Sequence, residues 1–428
     1  MYDPSITRRQ FMKKAAGTAL GLSSFSIFQP SRVTSATPEL TVLSWNHFVP
    51  TSDDKLREQA ARFAKEHGVI VRIDTIAHLQ IPVKLAAEIH AQTGHDIVWL
   101  FRAAPWLYQE QLIDVDEVIE DLGEKHGGWY PFVREASFVK ASWKAVPWFW
   151  ISAPGLYRED LFGQAGLQVP QRWEDVLNVG RILKKEGHPV GIPISQCNDA
   201  IGSFWSILWG FGGKVLEPDG KTLALSSPET EATLAYYKSL YEEAMEPEVL
   251  SWDDASNNRF LLSGKGCWIH NPISAYATAV EKKMAIADKI GIHSALAGPA
   301  GKYGVVGTAG LGIWKFSKNQ ELAKTFIKYL LQPENYTEWI VASRGFNHGP
   351  LRMYENHPIW TEHPKMKILP GEAQFAHIPG WPSPPNAHME RINELFILPN
   401  MVARVVTGTP IKTAITWAEE QIRNVLES

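Results

Sequence analysis

Two cysteines, Cys197 and Cys267, are all that this 428-residue chain contains, which excludes a disulfide framework and a cysteine-rich metal site. Long apolar runs are missing as well. The uncharged stretch Ala15 to Phe28 falls well short of the roughly 20 residues a membrane-crossing helix needs, and no later stretch is long and apolar enough to span. Basic residues are not in excess: 42 Lys and Arg face 46 Asp and Glu, a formal charge of −4. The first 36 residues hold five Lys or Arg and one Asp, a charge of +4, so the remainder carries −8. That balance disfavours a polyanion such as nucleic acid and suits a neutral ligand. No G-x-S-x-G elbow, H-E-x-x-H or P-loop occurs, and GTAGLG (Gly307 to Gly312) lacks the G-x-G-x-x-G order of a dinucleotide loop. Internal repeats, low-complexity tracts and long linkers are absent too.

The chain begins instead with an export signal. Basic residues precede the short apolar stretch, and Thr34-Ser35-Ala36 offers the small residues a signal peptidase requires, so cleavage is expected after Ala36. The pair Arg8-Arg9, with Phe11 and Lys13, resembles a twin-arginine signal, which exports proteins already folded. Folding before export would form the core where thiols stay reduced, so a Cys197 to Cys267 bond is at most optional. A cut after Ala36 leaves 392 residues, enough for two lobes and a sizeable core. The content of 45% hydrophobic and 21% charged residues is that of a globular protein, and 17 of the residues are Trp.

Past the leader, Glu39 to Trp45 reads as a buried strand, and Thr51-x-x-Asp54 as the cap of a helix with Leu56, Ala60 and Phe63 on one face. Val69 to Ile76 alternates as a strand does, Leu85, Ala86 and Ile89 have helical spacing, and Asp96 to Phe101 is a further strand. Strand and helix in alternation predict a largely parallel sheet with crossover helices. After Trp150 the pattern resumes. Trp173, Val176, Leu177, Gly180 and Leu183 form a helical stripe that Gly187 ends, and Ser227-Pro228 opens a helix carrying Leu234, Tyr237 and Tyr241. Gly264 to Asn271 reads as a short strand running into a loop. Ser317-x-x-Gln320 caps a helix with Leu322, Phe326 and Leu330, and Ile415, Ala418, Ile422 and Val425 lie on a closing one.

The order of landmarks resembles the extracellular solute-binding proteins of ATP-driven importers, specifically the large sugar-binding family with maltose-type receptors. SWNHF ends the first strand, followed in order by KLAAEIHAQTGHDIVWL, AVPWFWISAPGLYREDLFGQAGL with RWEDVLNVGRIL, FLLSGKGCWIH and ALAGPAGKYGVVGTAGLGIWKFSKNQELAKTFIKYLL. The likeness covers essentially the whole chain after the leader, although a twin-arginine leader is less usual for that family than a general secretory one. It implies an α/β, two-lobed, type II periplasmic-binding-protein fold, each lobe a mostly parallel sheet flanked by helices. The expected division is residues 1–36 as leader, 37–147 plus 306–366 as lobe 1, and 148–305 plus 367–428 as lobe 2, with crossings near Pro147, Gly304 to Gly312 and Leu369. It further implies a ligand in the interlobe cleft, closure by hinge motion, and delivery to a membrane permease by a monomer that needs no cofactor.

A sugar ring presents apolar C–H faces and an equator of hydroxyls, so its receptor needs flat aromatic surfaces and a few fixed polar groups. Trp45, Asn46 and His47 stand at the end of the first strand, where open α/β sheets place ligands, and Trp99, Phe101 and Arg102 end another. Trp99 reads as core, while Arg102 is either an ion-paired lobe residue or a hydrogen-bond donor to sugar. Alternation puts Trp148 and Trp150 on one side of an extended segment, facing either the cleft or hinge packing. Trp268 and Asn271 follow a turn. Trp205 and Trp209, four apart, share a helix face and read as core. Gly307, Thr308 and Gly310 allow close backbone approach, and Trp381 sits in the Pro-rich loop HIPGWPSPPN as a platform.

Two rival functions compete with a receptor. An exported carbohydrate-active hydrolase needs just two carboxylates, which 46 acidic residues supply in plenty. A metal-binding protein would suit folded export. Yet His348, His357, His363, His377 and His388 show no i, i+3 or i, i+4 pair. Among receptor ligands, mono- or disaccharides lead, with sugar alcohols, glycerol phosphate and short oligosaccharides behind them.

Overall fold

The structure, a computed structural model, describes residues 37–428, and the expected leader lies outside the described residues. Strands β1 (Glu39–Trp45), β2 (Ile70–Ile76) and β3 (Ile97–Phe101) are joined by helices α1 (Pro50–His67) and α2 (Ile81–Ala91). β1 lies in the middle with β2 and β3 parallel on either side, the arrangement that crossover helices impose. The start of α1 differs from the capping box read at Thr51. Pro50, whose missing N–H costs nothing at a first turn, opens the helix, and the Thr51 hydroxyl donates to the Ala342 carbonyl at 2.6 Å. Asp53 in that first turn accepts the His47 N–H at 3.0 Å.

Further strands of the two larger sheets are β4 (Val146–Ser152), β5 (Gly155–Arg158), β6 (Val190–Gly191), β7 (Trp268–His270), β8 (Ile290–His293), β9 (Gly304–Ile313) and β10 (Ala376–His377). The first sheet runs β10-β9-β3-β1-β2, with β4 also antiparallel to β9. The second runs β8-β5-β7-β6. Only two residues of β6 pair with β7 in parallel, and the other two pairings are antiparallel. The second sheet is therefore mixed, whereas parallel order prevails among β1, β2 and β3. Just Ala153 and Pro154 separate β4 of the first sheet from β5 of the second, so the chain passes from one sheet to the other there.

Further helices are α3 (Trp173–Leu183), α4 (Asn198–Gly210), α5 (Pro228–Ala244), α6 (Gln320–Leu330), α7 (Pro333–Ala342), α8 (Ala387–Glu394), α9 (Ile397–Val406) and α10 (Ile411–Leu426). The stripes read from spacing are largely the buried ones: Trp173, Val176, Leu177, Gly180 and Leu183 on α3, and Ile415, Ala418, Ile422 and Val425 on α10. Ser227 caps α5 by accepting the Thr230 N–H at 3.1 Å. α7 packs on α1, where buried Gln59 donates to the Asn335 carbonyl at 2.6 Å. The helices α9 and α10 pack with α5 on the second lobe. Both cysteines are free and buried. Among the described residues no helix is long and apolar enough to cross a membrane.

Candidate ligand site

The carboxyl ends of β1, β2 and β3 and the amino end of α4 converge on a cavity. One wall is aromatic. Trp45 ends β1, Trp99 and Phe101 end β3, and His78 occupies the turn after β2. Trp45 stacks on Trp99 with ring centroids 5.3 Å apart, Trp99 on Phe101 at 5.4 Å, and His78 sets its edge to Phe101 at 4.7 Å. Phe149 and Ile151 of β4 and Gly307 of β9 also line the cavity. A Cβ at Gly307 would lie 2.9 Å from both Ile151 Cγ1 and Phe101 Cζ, so glycine is what permits this approach.

The opposite wall is polar. Asp254 accepts the Asp199 backbone N–H on Oδ1 at 3.1 Å and the Asn198 side-chain amide on Oδ2 at 3.0 Å. Asn257 donates to Asp199 Oδ2 and to Asn271 Oδ1, each at 2.7 Å. Asn271 in turn donates to Asn258 Oδ1 and the Pro272 carbonyl, each at 2.6 Å. Burial, then the neighbouring Asp254 charge, hold the Asp199 carboxyl well above the usual carboxylate range. His78 Nδ1 stands 3.9 Å from Asp254 Oδ2, yet burial pulls the imidazole down to about 4, so it is neutral at pH 7.

Arg102 ties the two walls together. Its backbone is left-handed, with φ 52°, held by its own N–H donating to the Thr308 carbonyl at 2.8 Å. Nε and Nη2 donate to Glu390 Oε1 at 3.0 and 2.8 Å, and Nη1 donates to Asn198 Oδ1 at 2.5 Å. Burial pushes the Glu390 carboxyl up to about 6 in spite of that guanidinium.

The sequence model for bacterial extracellular solute-binding proteins matches residues 50–337, more than half of the chain. The chain belongs to this family. A probable ABC transporter-binding protein of Deinococcus radiodurans is 25% identical over 307 residues, covering 65% of this chain and 68% of that protein. A putative ABC transporter periplasmic-binding protein of Escherichia coli, YcjN, is 25% identical over 294 residues, and the match spans 63% of its length, just under two thirds. The solved structure of maltose-bound T. maritima MalE3 superposes with a TM-score of 0.81 at 20% identity, covering 91% of this chain and all of that one. The two-lobed α/β fold of type II solute-binding proteins is thereby shown.

Within this solute-binding fold, the residues singled out from sequence part company. Trp45, Arg102, Asn271 and Gly307 line the cavity. Asn46 is exposed and donates its N–H to the Ile76 carbonyl. His47 is buried behind the wall: its Nδ1 accepts the Val49 N–H at 2.9 Å, its Nε2 lies 2.8 Å from the Asn347 amide, and burial holds it near 3. Trp148 packs on Trp339 at 4.6 Å, and Trp150 stacks on His348 at 3.9 Å while donating to the Gly349 carbonyl. They alternate as read, but the phase is reversed, because Phe149 and Ile151 take the cavity side. Trp268 is fully buried in the second sheet, donating to His293 Nε2 at 2.7 Å. Thr308 is 2% exposed and supports Arg102 from behind. Trp381 stacks on His377 at 4.1 Å and borders a separate groove of about 1180 Å³ with Tyr130 and Phe132.

Trp99, read as core, is both buried and part of the wall. His78, Asn198, Asp199 and Asp254 went unread. For His78 a signal existed, since it follows β2 as Trp45 ends β1 and Arg102 follows β3. Asp199 lies in the first turn of α4 and Asp254 in a turn 55 residues on, and nothing local relates them. Among the described residues no three metal-ligating side chains converge; His348 is sandwiched between Trp150 and Trp360, and His377 lies on Trp381.

Proposed function

We propose that this chain is the substrate-binding receptor of an ATP-driven sugar importer. It captures a mono- or oligosaccharide between its lobes and presents the closed form to a membrane permease. The observation that carries this reading is the cavity itself, with stacked aromatic faces on one lobe and fixed acceptors on the other, at the strand ends of a solute-binding fold. The maltose in the MalE3 structure supports a saccharide as the solute class. Trp45, Phe101, Arg102, Asp199, Asp254, Asn271 and Gly307 are the contact residues of this reading. The hinge lies at 153–154 and at the two later crossings, before β9 and after Leu369. Arg102, bonded to Asn198 and Glu390, keeps the lobes closed. A twin-arginine leader takes the folded monomer out of the cytoplasm.

Binding without turnover separates a receptor from a hydrolase. Both oxygens of Asp254 are already engaged by Asp199 and Asn198, which favours an acceptor held in place over a nucleophile. The test is a titration of intrinsic tryptophan fluorescence with neutral sugars, sugar alcohols and glycerol phosphate, followed by recovery of the ligand. A saturable change with a sugar returned intact is the expected result, because Trp45 and Trp99 border the cavity. A cleaved ligand makes the protein an enzyme, and tighter binding of glycerol phosphate or a sugar alcohol moves the cargo out of the saccharides.

A further inference from the structure

The two walls of the cavity differ in charge as well as in polarity. Asp199 and Asp254 sit together on one side, and among the described residues no Lys or Arg pairs with either. Arg102, the one cation lining the cavity among the described residues, spends three of its N–H groups on Glu390 and Asn198. His78 is neutral at pH 7 and makes no hydrogen bond through its ring, although it stands 3.9 Å from Asp254 across the gap. Among the described residues the Asp199 side chain receives one hydrogen bond, from Asn257 on Oδ2, and none on Oδ1. Facing these acids are the rings of Trp45, Phe101 and His78.

A carboxylate accepts hydrogen bonds and donates none. Beside Asp254 the Asp199 carboxyl is held well above its usual range, so the pair calls for a donor-rich ligand whose positive charge lets both acids ionise, since an uncompensated charge in a low dielectric is costly. A phosphate or uronate would add a further negative charge to the pair. A neutral ring supplies hydroxyl donors but leaves the charge unanswered. An ammonium group supplies three donors and the missing charge, and aromatic faces attract cations as well. We propose that the solute is a saccharide bearing a free protonated amine, seated between Asp199 and Asp254, with the ring face on Trp45 and Phe101. This rests on the saccharide reading above and adds the charge class.

The experiment is calorimetric titration of the purified protein at pH 7 with three matched disaccharides: the unacetylated glucosamine dimer, cellobiose and cellobiouronic acid. The amino sugar is expected to bind about tenfold to a hundredfold more tightly than the neutral one, the range of a hydrogen bond to a charged group. The acid is expected to bind weakest. Asp199→Asn and Asp254→Asn should each remove most of the advantage of the amine over cellobiose. Because Asp254 also holds the start of α4, circular dichroism of both variants is measured first. The order of the three ligands on the unaltered protein decides the matter even where a variant fails to fold. Cellobiose binding as tightly as the amine, or the acid binding most tightly, overturns the charge assignment and leaves the saccharide reading standing. Binding by none of the three overturns both.

Discussion

Gly307 shows how tightly a single position is set. Its would-be Cβ falls 2.9 Å from Ile151 and from Phe101, and Phe101 cannot yield because its ring is stacked on Trp99 at 5.4 Å. Gly307→Ala is expected to cost about 1–3 kcal/mol of stability, the usual penalty of overpacking, and to weaken solute binding by pushing Phe101 into the cavity. Thermal unfolding and the fluorescence titration check it, and an unchanged midpoint with unchanged affinity would show that the wall is soft. At this scale the sequence is half legible. Trp45 and Arg102 follow from the strand-end rule, and the same rule, carried to β2, reaches His78. Trp148 and Trp150 do not follow, because period-2 alternation fixes which residues share a side without saying which side faces the cavity; here Phe149 and Ile151 do. Asp199 and Asp254 are 55 residues apart and meet through tertiary packing alone.

At the scale of elements, the closing contact joins the end of β3 to α8 and to the start of α4. Arg102 and Glu390 are 8% and 2% exposed, so each is a buried charge that depends on the other. Removing one partner leaves an uncompensated charge and typically costs about 3–5 kcal/mol, whereas replacing both by apolar groups of similar size is often close to neutral. Arg102→Met is therefore expected to destabilise strongly, and Arg102→Met with Glu390→Leu to recover much of the loss. A double-mutant cycle in urea measures the coupling, and additive effects would mean the pair is not an energetic unit. Solute release is expected to quicken in the double variant, since the contact that joins the lobes is gone. The elements themselves were largely readable, because amphipathic stripes such as that on α3 depend on local spacing. Their partners were harder. Thr51 reads as a cap by its spacing, but Pro50 and the Ala342 carbonyl decide what it does. The mixed second sheet depends on how briefly β6 pairs, a length that no pattern in the chain declares.

For the whole molecule, buried histidine dominates the response to acid. Burial draws His47, His270 and His348 down to about 3 and His78 and His293 to about 4, from an ordinary 6.5. In the unfolded chain each takes a proton near pH 6.5, whereas in the folded protein each resists until near pH 3 or 4. Below pH 6.5 the unfolded state therefore binds more protons, and the stability these groups contribute is present above 6.5 and lost as pH falls. Five such groups set a limiting slope of about 7 kcal/mol per pH unit, at about 1.4 kcal/mol each. Glu390 works the other way, as do Asp199, Glu372, Glu135 and Asp53, whose carboxyls burial also raises. Raised to about 6, Glu390 contributes stability that is present below 4.5 and lost as pH rises through 6, so acidification restores at most about 2 kcal/mol through it. The histidines win. Against a total stability of about 5–15 kcal/mol, cooperative unfolding is expected within about two pH units below 6.5. Urea unfolding at pH 7.5, 6.5 and 5.5 should show the free energy falling ever more steeply. His348→Phe, which keeps an aromatic ring between Trp150 and Trp360, should make the fall shallower by roughly one proton. A free energy that stays level from pH 7.5 to 5.5 would mean that these imidazoles protonate in place, and that the packing around the cavity admits water.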